Sequence, residues 1–302
     1  MTVLQKRTSV SLQSADVAVA AQLACLIEAS APKPGNVSPG RPFADLSYEE
    51  FLASAAAIGG PLAGAGMRPL GATVRLAVEA TARWTRSNSN LGIVLLLAPL
   101  ARAALIEQRD ADLRRTLQRV LEATTVDDAR DVYAAIRRAA PGGLGRVDVE
   151  DVAEEPSRTL LDVMRLAAGR DDVAREYATV FDRTFLTGAP AIDRARCDGL
   201  SWDDAVVETF LTLLAAAPDT HIVRRAGAAM AAEVSEQARA VLSAGGARSA
   251  SGRRAIDDMD RGLRARGINP GTTADLIGAA VFIALLGGGW HAWKGSRDAA
   301  SR

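Results

Sequence analysis

The sequence predicts an all-α protein, a single compact multi-helix domain with no significant sheet, and three observations carry that prediction. Apolar residues recur at helical spacing along nearly every segment. The breaks between segments are Gly, Pro and Asx clusters rather than the two-residue turns that join strands. Hydrophobic residues make up 48% of the chain but aromatics only 4%, so alanine, leucine and valine fill the interior, which favours closely packed helices.

The elements follow in order. Residues 14–30 are rich in Ala, Leu and Val at helical spacing, and Pro32 stops the helix they form. Ser47 caps a helix over 48–58, with Glu49 and Glu50 in its first turn, where carboxylates complement the exposed amides. Gly59-Gly60-Pro61 should end it. Similar signals give helices at 69–86, 91–108, 111–123, 126–139, 157–168, 171–186, 202–216, 221–243, 252–266 and 272–286. The glycine- and serine-rich stretch 243–254 reads as the most mobile loop. Connections are short and no Pro/Ser linker divides two compositions, so the expectation is one domain over 1–302, ordered from about 12 to 287, with flexible ends.

Composition narrows the function. Thirty-six basic residues balance thirty-six acidic ones, which argues against a protein that coats nucleic acid or an anionic membrane. Any phosphate site must therefore be local. Cys25 and Cys197 show no metal-ligand spacing, and Cys25 falls in an apolar helical stretch that suits a buried thiol. The N-terminus has no signal-peptide succession, so a cytoplasmic protein is expected. The run 91–101 is too short for a bilayer, which takes about 20 residues, and Gly287, Gly288 and Gly289 interrupt the run 276–293. Alanine-rich apolar helices are compatible with a homodimer.

Several polar islands punctuate the apolar helices. In Ala31-Pro32-Lys33-Pro34-Gly35-Asn36-Val37-Ser38, rigid prolines present a compact cation suited to phosphate, and Gly35 frees the backbone to approach a ligand. The alternative is a helix-ending turn with a solvated lysine. Ser87-Asn88-Ser89-Asn90-Leu91-Gly92 precedes the most apolar helix, where the amides serve as caps or face a phosphate. Pro218-Asp219-Thr220-His221-Ile222-Val223-Arg224-Arg225 opens another helix; Asp219 caps it or binds metal, and the arginines grip phosphate or face water. His221 matches no expected histidine. Gly267 to Leu276 turns into the last apolar helix with Asp275 in its first turn, and Pro141-Gly142-Gly143-Leu144-Gly145 makes a fourth turn.

Lys33-Pro34-Gly35, Asn88 with Gly92, Asp219-Thr220 with Val223-Arg224-Arg225, and Asn269-Pro270-Gly271 with Ala274-Asp275-Leu276 together resemble the triphosphoribosyl-dephospho-CoA synthase family, over residues 20–287. The resemblance implies an all-helical enzyme that joins ATP to 3′-dephospho-CoA with release of adenine, with a magnesium-bound triphosphate. Adenine displacement from the ribose passes through a cation-like sugar, which needs a nearby carboxylate and a base for the incoming hydroxyl. The expected site residues are Glu28 and Asp219 in catalysis, and Asp45 and Asp275 on magnesium. Lys33, Arg224 and Arg225 would take phosphate, Asn36, Asn88 and Asn90 would orient ribose or phosphate, and Gly35 and Gly271 would let backbone come close.

This chain departs from the citrate-lyase branch of the family at several positions. Asn90 and Leu91 stand where that branch has histidine and lysine, Phe43 where it has histidine, and Arg170-Asp171-Asp172 ahead of the retained Tyr177-Ala178-Thr179-Val180. These departures bear on the acceptor more than on the donor. They leave three alternatives: a divergent member serving a pterin or furan C1-carrier pathway, a non-catalytic helical binding protein, and a magnesium-dependent N-glycosidic hydrolase.

Overall fold

The protein is described by a computed structural model, which covers residues 12–43, 46–86, 90–106 and 112–288. In chain order the helices are α1 (Ser14–Ser30), α2 (Tyr48–Ala57), α3 (Gly59–Ala63), α4 (Leu70–Thr81), α5 (Leu91–Ile106), α6 (Leu113–Glu122), α7 (Val126–Ala139), α8 (Leu160–Ala167), α9 (Asp172–Thr179), α10 (Ala189–Cys197), α11 (Trp202–Ala216), α12 (Thr220–Ala226), α13 (Ala228–Ser243), α14 (Ala250–Ala265) and α15 (Gly271–Leu286). Among the described residues there is no strand. Two isolated antiparallel bridges, Ser38 with Arg41 and Phe43 with Leu46, brace the chain after α1.

The order of burial follows from side-chain patterning. Apart from Arg102 in α5 and Asp275 near the start of α15, both helices are apolar on nearly every face, and a helix without a broad polar face belongs in the interior. They pack against each other and against α1, and the remaining helices surround this centre. The buried apolar residues form one continuous core, from Val17 in α1 to Leu285 in α15. Outer helices such as α6, α7 and α14 bury one stripe and expose most of their charged residues, with Asp128 of α7 and Asp260 of α14 buried as exceptions. Among the described residues no single helix is long and apolar enough to cross a membrane. The bent pair α11 and α12 has the length and composition, but α11 is largely buried in the core.

Helix boundaries differ most from the sequence expectation at four places, and α4 also stops at Thr81 rather than 86. Gly59-Gly60-Pro61 does not end the helical path, because α3 starts there, with Ile58 at the junction. The expected helix over 221–243 is two, broken at Gly227, whose φ of 91° L-residues rarely adopt. The expected helix over 171–186 stops at Val180 and Phe181, both left-handed with φ of 53° and 57°. A π-helical turn, Thr184–Gly188, and α10 then follow. Left-handed non-glycine residues cost on the order of 1–2 kcal/mol each, and a fully buried carboxylate offsets that cost. Glu176 accepts hydrogen bonds from the amides of Arg183 (3.1 Å) and Thr184 (3.0 Å) and from the Thr184 hydroxyl, which draws the chain back over it. Finally, the stretch 243–254 is a 3₁₀ turn and the start of α14, capped by Ser249 and tied to α11 through Glu208, which accepts from the Ala247 amide at 2.8 Å.

Candidate functional site at the meeting of helix ends

The chain leaving α1 folds inward. The side chain of Lys33 turns back along the helix axis, pairs with the Glu28 carboxylate at 3.0 Å and donates to the carbonyls of Ala31 (3.2 Å) and Glu28. Lys33 is 1% exposed and Glu28 3%. Gly35 is left-handed at φ +73°, and a Cβ there would lie 2.7 Å from the carbonyl oxygen of Ile268. Its amide donates to Asp260 of α14 at 2.8 Å. Asp260 also accepts from Arg264 at 2.8 and 2.9 Å and from Arg41 at 3.3 Å, and Arg264 reaches the carbonyls of Asn36 and Pro42. This ion-paired carboxylate clamps the turn onto α14.

Asp219 fastens two helix starts together. One oxygen accepts from the Ile222 amide at 3.0 Å and so caps α12; the other accepts from the amide and hydroxyl of Thr273, each at 2.7 Å, in the first turn of α15. Alongside it the Asp172 amide donates to the Thr220 hydroxyl at 3.1 Å, and that hydroxyl meets Thr272 at 3.3 Å. The ends of α9, α12 and α15 are thus laced into one edge. Asp171 caps α9 through the Ala174 amide at 3.0 Å and pairs with Arg224 at 3.3 Å.

Helices α5 and α15 approach closely because Gly92 carries no side chain. A Cβ on Gly92 would fall 2.0 Å from an oxygen of Asp275, so the glycine makes the space that the carboxylate fills. Gly271 does the same for His221, whose Nδ1 lies 2.4 Å from where a Cβ would be. Asn90 is buried, donates to the Thr81 hydroxyl at 3.0 Å and accepts the first helical bond of α5 through its carbonyl.

These contacts enclose a cavity of about 1460 Å³. Glu28, Asn36, Asn90, Arg224, Arg225, Gly271 and Asp275 all line it, although they come from five separate stretches of chain. Lys33, Gly35 and Asp219 stand one layer behind its wall. Lys33 therefore holds Glu28 rather than opening onto the cavity, Gly35 gives close approach to α14 and the Ile268 carbonyl, and both Asp219 oxygens are engaged by helix ends. Gly271 gives its space to His221. Asp45 and Asn88 lie outside the described residues. His221 and Asp171, which the sequence did not single out as ligands, are in the lining. A smaller hollow of about 460 Å³ between α4 and α7 carries Arg75, Arg83, Arg138 and Glu79 and none of the motifs.

Electrostatics mark the cavity floor. Burial, then the carboxylates of Glu28, Asp219 and Asp171, push Asp275 well above the usual carboxylate range, against the opposing pull of Arg224. Burial raises Asp219 as well, while the Thr273 and Ile222 donors counteract it. His221 is held down at about 4 by burial and by Arg224 and Arg225, so its imidazole is neutral near pH 7. Burial pushes the Cys25 thiol up, which leaves it an inert core group. Two buried polar atoms on cavity residues, Arg224 Nε and Asn269 Oδ1, have no hydrogen-bond partner among the described residues.

The family model for ATP:dephospho-CoA triphosphoribosyl transferase matches residues 14–294. The chain belongs to this family. A Pseudomonas paraeruginosa protein assigned as a 2-(5″-triphosphoribosyl)-3′-dephosphocoenzyme-A synthase is 38% identical over 124 residues, 41% of this chain and 42% of that one. A Pseudomonas syringae pv. syringae protein with the same assignment is 32% identical over 157 residues, 52% of this chain and 53% of that one. The chain thus aligns with about half or less of the length of these curated relatives. A crystal structure from Archaeoglobus fulgidus, described as a triphosphoribosyl-dephospho-CoA synthase, superimposes with a TM-score of 0.62 at 27% identity, covering 78% of this chain and 99% of that one. The triphosphoribosyl transferase family and the all-helical fold expected from the sequence are therefore both present. Each of these relatives carries the dephospho-CoA name, and none supports the pterin or furan branch, the binding protein or the hydrolase.

Proposed function

We propose that this member of the family transfers the triphosphoribosyl group of ATP to a hydroxyl of 3′-dephospho-CoA and releases adenine. The reading rests on family membership together with one observation: carboxylates from α1 and α15 and arginines from α12 line the same cavity. The reaction breaks the C1′–N9 bond of ATP, and its electron pair leaves with adenine, which gains a proton. A C1′–O bond forms and the hydroxyl proton passes to a base. Positive charge develops on the ribose between these events, so a buried carboxylate beside C1′ lowers the barrier. Glu28, oriented by the Lys33 pair, fills that role and accepts the hydroxyl proton. Arg224, whose Nε lacks a partner, and Arg225, which forms no ion pair among the described residues, bind phosphate oxygens. Asp219 acts indirectly, by fixing the ends of α12 and α15.

The donor set also suits magnesium. Asp275 accepts no hydrogen bond from the described residues, and Glu28 and Asp171 add negative charge beside it. Magnesium takes one or two carboxylates along with phosphate oxygens and waters, so Asp275 is the residue that would hold it, where it would neutralise triphosphate charge. A cytoplasmic setting follows from the two substrates.

The test is product identity. Purified protein with ATP, magnesium and 3′-dephospho-CoA should yield, by mass spectrometry, one adduct heavier than dephospho-CoA by a triphosphoribosyl group. An unchanged acceptor in the presence of consumed ATP would refute the transferase reading.

A further inference from the structure

The cavity has two chemically different ends. Toward α1, α5 and α15 it is lined by the carboxylates of Glu28 and Asp275. Toward α7, α8 and the 140–153 loop it is lined by Arg137, Arg146 and Arg170, which outnumber the carboxylates of Glu150 and Asp151 there, and by the apolar side chains of Ile136, Val152 and Met164. At about 1460 Å³ it exceeds the roughly 300–1000 Å³ that one small ligand fills, so it has room for two substrates. At the second end Arg146 and Arg170 are exposed and form no ion pair among the described residues. Two of the loop's carboxylates, Glu150 and Asp151, also line the cavity; each is tied down by hydrogen bonds within the loop, and Asp151 feels the charge of both arginines without closing an ion pair with either. Asp151 accepts from the amides of Val147 and Ala153, both at 2.8 Å, and Glu150 accepts from the amide and hydroxyl of Ser157 and lies 3.6 Å from Arg158. The loop is thus folded by its acids, while neither arginine has a carboxylate within ion-pair distance among the described residues.

That division matches the chemistry of the two substrates. A triphosphate handled with a divalent cation needs carboxylate oxygens near it. A diphosphate bound without a metal needs guanidinium groups, which meet it with paired donors. Resting on the transferase reading above, we propose that Arg146 and Arg170, with the apolar wall from Ile136, Val152 and Met164, form the acceptor subsite, which takes the diphosphate and pantetheine arm of dephospho-CoA. The donor then occupies the acidic end, and Arg224 and Arg225 stand between the two.

The experiment is equilibrium binding by calorimetry, at fixed salt, of 3′-dephospho-CoA and separately of magnesium-ATP, to wild type, to the Arg146→Ala/Arg170→Ala double variant and to the corresponding double lysine variant. Charge-assisted hydrogen bonds of this kind make the expected loss in dephospho-CoA affinity about tenfold or more in the alanine variant. Magnesium-ATP affinity should change by less than about twofold, and the lysine variant should recover part of the loss, since it keeps the charge but not the paired geometry. Unchanged dephospho-CoA binding in the alanine variant, or an equal loss for both ligands, overturns the subsite while the transferase reading stands. Wild type that binds magnesium-ATP but no dephospho-CoA overturns both.

Discussion

Lys33 looked like a phosphate ligand in the sequence and is a buried counter-ion in the structure. Its side chain is enclosed with Glu28 at 3.0 Å, and removing one member of a buried pair leaves the other charge uncompensated. Lys33→Met should therefore cost about 3–5 kcal/mol in urea unfolding. A variant as stable as wild type but weak in ATP binding would return Lys33 to the phosphate. Asp219 shows the same ambiguity, because a cap and a ligand share one sequence signature, and only the Thr273 contact 54 residues away separates them. His221 gives a pH test. Its folded pKa of about 4 lies below its ordinary 6.5, so the unfolded chain binds the proton more readily between those values. Stability held by the neutral imidazole is present above pH 6.5 and is lost as the pH falls toward 4. Relative to wild type, His221→Asn should gain stability over that window as the solution is acidified, read from melting temperatures. A pH-independent difference would contradict the depressed value.

At the scale of helices, the sequence marks centres better than ends. The largely apolar α5 and α15, the Ser47 cap of α2 and the capping box of α7 at Thr125 and Asp128 follow local rules that a linear reading captures. The break after α9 does not, because it depends on Glu176 drawing residues 183 and 184 onto a buried carboxylate. Nor does α10, which starts at a Gly-Ala-Pro sequence that reads as a stop, although proline is well suited to a first helical turn. The junction of α5 with α15 depends on Gly92, which the sequence marks only as part of a polar island and of the family pattern, not as the space that a carboxylate of α15 fills. Gly92→Ala would place a methyl group where the Asp275 carboxylate sits. The expected outcome is a turnover loss of about tenfold or more with helical circular dichroism unchanged, since the misplacement of a catalytic-site group by about 1 Å costs up to about a hundredfold. Turnover equal to wild type would show that this contact does not set the position of Asp275.

Across the whole molecule, the polar islands mark positions that the fold brings near one another. Seven of the twelve expected site residues, Glu28, Asn36, Asn90, Arg224, Arg225, Gly271 and Asp275, line one cavity. The sequence could supply their types but not their depth, because the clamping of Gly35 onto α14 and the burial of Asp219 against α15 depend on residues more than fifty positions further along the chain. Nor did it reveal Asp260, whose contact with Gly35 spans 225 residues and carries no local signature. The central claim is that separate helix ends assemble one donor site for ATP. Free adenine, measured by chromatography during incubation with ATP, magnesium and 3′-dephospho-CoA, tests it most directly. Wild type should release adenine mole for mole with acceptor consumed, and Asp275→Asn and Arg224→Ala should each lower the rate by about a hundredfold or more. Release at the wild-type rate from both variants, or none from wild type, would contradict it.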